Sequence, residues 1–328
     1  MPVGVECHIA AQPARWQPYC AECPRRVLMS PVPSVRPFQS ILCPVDFSAH
    51  SRAALVHAVE IARRTGGRLT VLYADDPLLD TAIGAAYDRQ LSTKQTMREL
   101  RRFLDRVVEP AARQQLVVHI ASVVGRPAQE ILKAARKRGS DLIVMGTQGL
   151  GGAQKMFFGS TTEAVLRRTS AAVLAVPAKP ARVTKGWPGR LVMGAIELGA
   201  SDRQDARAIA ELARAFETDL VLVNVIRPTA APPWFAPQLR RHDRERLAAA
   251  RTRLRRLAAD SPDLTVTCRV VLGDPGEELP ALADDVDAGL MVLSLRRGHG
   301  VFGKRQGSTT YRVLCGSVIP VLALPSAR

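Results

Sequence analysis

The run GTQGLGGAQKMFFGSTT, residues 146–162, holds the residue types that a phosphate-binding loop needs. It leaves a continuous apolar stretch, DLIVMG, that ends at Gly146. Gly149 follows three residues on, nine residues intervene, and Gly159, Ser160 and Thr161 open a segment whose apolar positions continue as Ala164, Val165 and Leu166. A glycine at a strand end lets the backbone approach a ribose or a phosphate with no Cβ in the way. Gly149, with Gly151 and Gly152 behind it, permits positive φ and inward-pointing N–H groups. Gly159 brings a helix start close, where free N–H groups and the positive end of the dipole favour an anion. Ser160 and Thr161 add hydroxyl donors. The competing account is that Ser160 or Thr161 only caps a helix and the glycines only make turns. A strand before the motif and a helix after it favour the ligand reading.

The elements that must position this loop come from a unit written twice. ILCPVDFSAHSRAALVHAVEIARRTGGRLTVLYADDP (41–77) lies over LVMGAIELGASDRQDARAIAELARAFETDLVLVNVIRP (191–228), and GSTTEAVLRRTSAAVLAVP (159–177) over GSTTYRVLCGSVIPVLALP (307–325). Short runs rich in Val, Ile and Leu predict strands at 40–45, 69–74, 117–123, 141–145 and 172–176, separated by helix-periodic segments. Strands that alternate with helices mean an α/β fold with parallel crossovers. The expected architecture is two tandem doubly wound domains, each a five-stranded parallel sheet with helices on both faces. The boundaries are an N-terminal extension at 1–37, domain 1 at 38–178, a linker at 179–189 rich in Pro, Gly and positive charge, and domain 2 at 190–326. Such sheets bind ligands beyond the carboxyl ends of the strands, where strand order reverses. The chain has no G-x-x-x-x-G-K-[ST] run and no G-x-G-x-x-G after its first strand, which excludes a P-loop and disfavours a dinucleotide fold.

With G-x-x-G, nine residues and G-[ST] between the fourth and fifth strands, and with ILCPVDFS as the opening strand, each repeat resembles the universal stress protein family, the first repeat in its ATP-binding form. The resemblance implies strand order 3-2-1-4-5, with Asp46 at the adenine side of the nucleotide and Pro44 and Val45 along the same edge. It places Ala74 beside the base, Met145 and Gly146 by the ribose, and Gly149, Gly159, Ser160 and Thr161 by the phosphates. ATP, accompanied by Mg2+, is the implied cofactor and stress response or regulation the implied role. Gln148 departs from the pattern, since many members carry a basic or His side chain there. The family also implies pairing of the repeats through their last strands, AVLAVP (172–177) and PVLALP (320–325), and allows whole chains to form homodimers.

The second repeat reads SLRRGHGVFGKRQGSTT at 294–310. Ser294 replaces Gly146, Arg297 replaces Gly149 and Glu197 replaces Asp46, while Gly307, Ser308 and Thr309 keep a residual anion site at the helix start. Arg296, Arg297, Lys304 and Arg305 offer side-chain contacts to phosphate as an alternative, but decay of this copy is preferred. The expectation is that ATP binds mainly in the first domain. Phosphoryl transfer needs a positioned base, a metal ligand and cationic charge near the γ-phosphate. Lys155 is the only cation within the first motif, so at most slow hydrolysis is expected. The alternative function is an adaptor or scaffold that binds protein partners without nucleotide, against which the intact glycine pattern argues.

A net charge of +16 raises a polyanion partner. The arginines of MRELRRFLDRV (97–107) and LRRHDRERLAAARTRLRRLAAD (239–260) are interleaved with acids on helix-spaced patterns, and aromatics are only 5%, so nucleic acid is not the expected partner. Cys43, Cys268 and Cys315 read as small buried hydrophobes. Cys7, His8, Cys20 and Cys23 could supply four zinc or iron–sulfur ligands, but their spacing fits no standard finger and a disordered tail is the simpler expectation. Met29 could serve as a start. No run is long and apolar enough for a bilayer and no apolar h-region opens the chain, so a cytoplasmic location is expected.

Overall fold

The short apolar runs of the first repeat form strands β1 (Ser40–Val45), β2 (Arg68–Asp75), β3 (Val118–Val124), β4 (Leu142–Gly146) and β5 (Ala172–Val176). Between them lie helices α1 (Ala49–Thr65), α2 (Arg89–Asp105), α3 (Pro127–Arg138) and α4 (Ser160–Arg168). The second repeat runs β6 (Leu191–Ala195), α5 (Asp202–Ala215), β7 (Asp219–Ile226), α6 (Ala236–Ala259), β8 (Val266–Leu272), α7 (Pro275–Asp285), β9 (Leu290–Leu295), α8 (Thr309–Gly316) and β10 (Val321–Pro325). The structure, a computed structural model, describes residues 37–75, 89–109, 113–147, 159–177, 187–229, 232, 234, 236–295 and 309–325. These all lie within one compact unit, Val35–Arg328. Cys7, His8, Cys20 and Cys23 fall outside the described residues, as do Gly149, Gly307 and Ser308.

The strands join in one sheet of order β3-β2-β1-β4-β5-β10-β9-β6-β7-β8. Each half has the order 3-2-1-4-5 with parallel pairing. The halves meet where β5 and β10 run antiparallel, with Leu322 opposite Leu174 and Val321 opposite Ala175. β5 is buried along its whole length, whereas the edge strand β3 has no fully buried residue. Side chains alternate across the sheet. Ile41, Cys43 and Val45 therefore join a core with α1, α2, α5 and α6, while Leu42 faces the core packed by α3, α4, α7 and α8. Leu174 and Leu322 belong to the first core and Val173 and Val321 to the second, so both cores continue across the seam between the halves.

Local signals fix the helix ends. Ser48 caps α1 by accepting the Ser51 N–H at 3.1 Å, and Gly66, at φ 69°, ends the helix in the left-handed region where a Cβ is costly. Pro127 opens α3 and Gly139 closes it. Trp187 is buried, with its ring edge-on to Phe216 of the second repeat at 5.1 Å and to His57 of α1 at 6.1 Å. One cysteine expectation needs correction. Cys43 is fully buried and its thiol is pushed far up by that burial, but Cys268 and Cys315 are only partly buried, near an edge strand and a helix end. Among the described residues no helix is long and apolar enough to cross a membrane.

Candidate functional site

The first repeat's crevice lies at the carboxyl ends of β1 and β4, neighbours in the sheet that flank the reversal of strand order. Asp46 stands one residue past β1, where its Oδ1 accepts the Ser48 N–H at 3.0 Å and its own N–H donates to Ser51 Oγ at 3.3 Å. The carboxylate is thus held by the turn that caps α1. Pro44 and Ala74 are half-buried on β1 and β2, and Val45 and Met145 are buried.

The end of β4 is tied to the start of α4. Thr147 N–H donates to Val176 O at 3.0 Å, and Gly159 N–H donates to Thr147 O at 2.8 Å. Thr162, buried in the first turn of α4, donates its hydroxyl to Gly146 O at 3.0 Å. Gly159, not Ser160 or Thr161, is the N-cap residue, and it has no side chain to cap with. The capping account of Ser160 and Thr161 therefore does not hold. Ser160 is exposed and Thr161 half-buried, both in the first turn of α4 at its positive end.

Gly146 has a tighter reason for being glycine than ligand access. A Cβ built there would stand 2.7 Å from His50 Cβ and 2.8 Å from the His50 carbonyl carbon. The first turn of α1 packs where a side chain at residue 146 would stand. Sequence reasoning did not single out His50, whose ring is held below the usual histidine pKa by burial, against the opposing pull of Asp46. It also passed over Phe47, which takes φ 64° and packs its ring on Tyr73 at 5.1 Å and Phe103 at 5.4 Å. A non-glycine residue in the left-handed region beside a candidate ligand group is stored strain. Burial, then the charges of Asp75 and Asp46, pushes the Tyr73 phenol up, so two carboxylates act on this rim. Neither His50 nor Phe47 belongs to any spacing motif; the signal was only their place in the turn after Asp46.

In the second half, Val192 pairs with Leu220 and Leu290 as Ile41 pairs with Leu69 and Leu142. This register makes Glu197 the counterpart of Asp46 and Ser294 that of Gly146. Glu197 is exposed and Ser294 half-buried. Thr309, the first residue of α8, accepts a bond from Arg227 Nη2 at 2.5 Å. α5 begins at Asp202, the counterpart of Ser51, whereas α1 begins two residues earlier at Ala49.

The family model of the universal stress proteins matches residues 37–177 and again 192–325. The chain belongs to the universal stress protein family. As a tandem member it carries that unit twice. Universal stress protein MJ0531 of Methanocaldococcus jannaschii is 30% identical over 139 residues, which cover 42% of this chain and 82% of that protein. A universal stress protein of Thermus aquaticus is 32% identical over 139 residues, covering 42% of this chain and 98% of its own. Among solved structures, a universal stress protein from Archaeoglobus fulgidus superposes with a TM-score of 0.63 at 17% identity, over 88% of this chain and 96% of that one. At that identity the likeness is one of fold, and function rests on the site.

Proposed function

We propose that this universal stress protein binds ATP in the crevice of its first repeat and acts through the bound nucleotide in stress response or regulation. The observation that carries the reading is the start of α4. Its N-cap residue is a glycine, and bonds from Gly159 and Thr162 hold its first turn at the end of β4, beside Asp46. Anions favour such a helix start. The phosphates would lie on Gly149, Gly159, Ser160 and Thr161, the ribose by Met145 and Gly146, and the base between Ala74, Pro44, Val45 and the Asp46 carboxylate. Mg2+ would arrive with the phosphates, because among the described residues no group of three or more His, Cys, Asp or Glu side chains could hold a metal ion.

The chain's own residues would bind and orient the nucleotide. The role proposed is binding, in the cytoplasm, with turnover slow at most. Gentle purification, denaturation and mass spectrometry of the released small molecules test the reading. Released adenine nucleotide near one equivalent per chain supports it. Release of none, followed by failure of the nucleotide-free protein to take up ATP, overturns it.

A further inference from the structure

Helices α3 and α7 are the same element of the two repeats. Leu69 pairs with Val118 as Leu220 pairs with Val266, and that register lays RPAQEILKAARKR (126–138) over DPGEELPALADDV (274–286). The first stretch holds five cations and one acid. The second holds five acids and no cation, in a chain where Lys and Arg outnumber Asp and Glu by 46 to 30. What fixes each helix to the sheet is unchanged. Ile131, Leu132 and Ala135 of α3 and Leu279 and Ala283 of α7 are buried in the one core on that face. Glu130 and its counterpart Glu278 both lie against a glycine, Gly125 and Gly273.

The outward side is what differs. α3 exposes Gln129, Lys133, Arg136 and Lys137, a spacing that lines one side of a helix. At the same four positions α7 exposes Glu277, Ala281, Asp284 and Asp285. Arg136 and Lys137 are thus replaced by residues of opposite sign. Cations in the last turn of α3 suit the helix dipole, whereas acids in the last turn of α7 oppose it. Among the described residues neither Asp284 nor Asp285 has an ion-pair partner. The cations of 178–186 and 296–308 fall outside the described residues. Segment 296–308 joins the carboxyl end of β9 to α8, while α7 leads into the amino end of β9. A strand of that length separates the two by about 20 Å, well over a Debye length of about 8 Å. Segment 178–186 leads to Trp187, which is buried in the core of the opposite face.

We infer that this face joins two copies of the chain, with α3 of each copy set on α7 of the other. The two helices lie on one face of the sheet, one in each half. A twofold axis between two such faces carries the basic stripe of one copy onto the acidic stripe of the other, so every pair is made twice and the assembly closes at two. The Arg-rich α6 is the rival partner for α7, but it packs the opposite face, and a contact between those two helices is head-to-tail and does not close. The net charge of +16 repels two copies at long range. At about 150 mM salt a Debye length of about 8 Å screens that repulsion and leaves charges in contact. Single exposed ion pairs are weak, so the dimer is reversible, with a Kd on the order of 10 μM.

Sedimentation velocity of the full chain tests it, at about 150 mM salt and from about 1 to 100 μM protein. The parent is expected to pass from monomer to dimer and no further. Arg136→Glu with Lys137→Glu makes both stripes acidic, and Asp284→Lys with Asp285→Lys makes both basic; each double variant should raise the dimer Kd by about tenfold or more. An equimolar mixture of the two should form a heterodimer with a Kd within about threefold of the parent's, because each copy then supplies the charge that the other lacks. Both variants change exposed positions only and should keep the parent's circular dichroism. The milder pairs Arg136→Gln with Lys137→Gln and Asp284→Asn with Asp285→Asn should each raise the Kd by about threefold. A parent that stays monomeric, association that continues past the dimer, or a parent-like Kd in the milder pairs overturns the inference. So does a mixture of folded charge-reversed variants that remains monomeric, the result expected if Asp284 and Asp285 are paired within their own chain.

Discussion

Gly146→Ala separates two reasons for a glycine at the end of β4. The backbone there is ordinary strand, so alanine is conformationally allowed and would by itself stabilise the chain by about 0.4–1 kcal/mol through the unfolded state. The added methyl, however, meets His50 Cβ at 2.7 Å and His50 C and O at 2.8 and 2.9 Å, against an ordinary carbon–carbon contact of about 3.5–4.0 Å. Relief requires the capped first turn of α1 to move by several tenths of an ångström, and Ser48, Ser51 and Asp46 bond that turn together. Overpacking of this kind costs about 1–3 kcal/mol, so the net expectation is a loss of about 1–2 kcal/mol. Urea unfolding followed by circular dichroism should show a lower midpoint at an unchanged slope. ATP affinity should fall as well, because Asp46 moves with the turn. A variant as stable as the parent or more so would refute the packing argument and return Gly146 to a role in ligand access alone.

Thr162→Val removes the bond that ties α4 to Gly146 O; it should cost about 1 kcal/mol of stability and weaken ATP binding, read by urea unfolding and titration. His57 is buried against Trp187, and that burial holds its pKa below the usual 6.5. Its folded pKa is depressed, so its contribution is present above pH 6.5 and is lost as pH falls through the folded value. Thermal unfolding followed by tryptophan fluorescence should therefore show Tm declining below that pH, and His57→Leu should flatten the decline. Asp202, buried at the start of α5, is bridged by Arg253 at 2.8 and 2.9 Å, and this holds its carboxyl below the usual 3.8. Its contribution is present above that pH and disappears as pH falls through the lowered value; Asp202→Ala should cost about 1–3 kcal/mol at neutral pH by urea unfolding, with the penalty gone in strong acid.

The strands were legible because buried parallel strands are written as unbroken Val, Ile and Leu runs. The run expected at 117–123 is Val118–Val124, and that at 69–74 is Arg68–Asp75. The edge carrying Asp46, Gly146 and Gly159 was legible for the same reason: strand ends and helix starts leave composition signals. What the sequence could not show is which atoms fill the space between them. His50 packs where a side chain at Gly146 would stand, and Thr162 donates its hydroxyl to the β4 end. Asp205, Asn224 and Arg227 belong to no motif, and only the fold brings them to one cavity.

Titrating ATP into the nucleotide-free full chain beside its Gly149→Arg variant, which installs the second repeat's residue, decides whether the first-repeat crevice is the ATP site. One site per chain is expected in the parent and none in the variant, with both unfolding at the same urea concentration. Two equal sites in the parent, or unchanged affinity in Gly149→Arg, would contradict it.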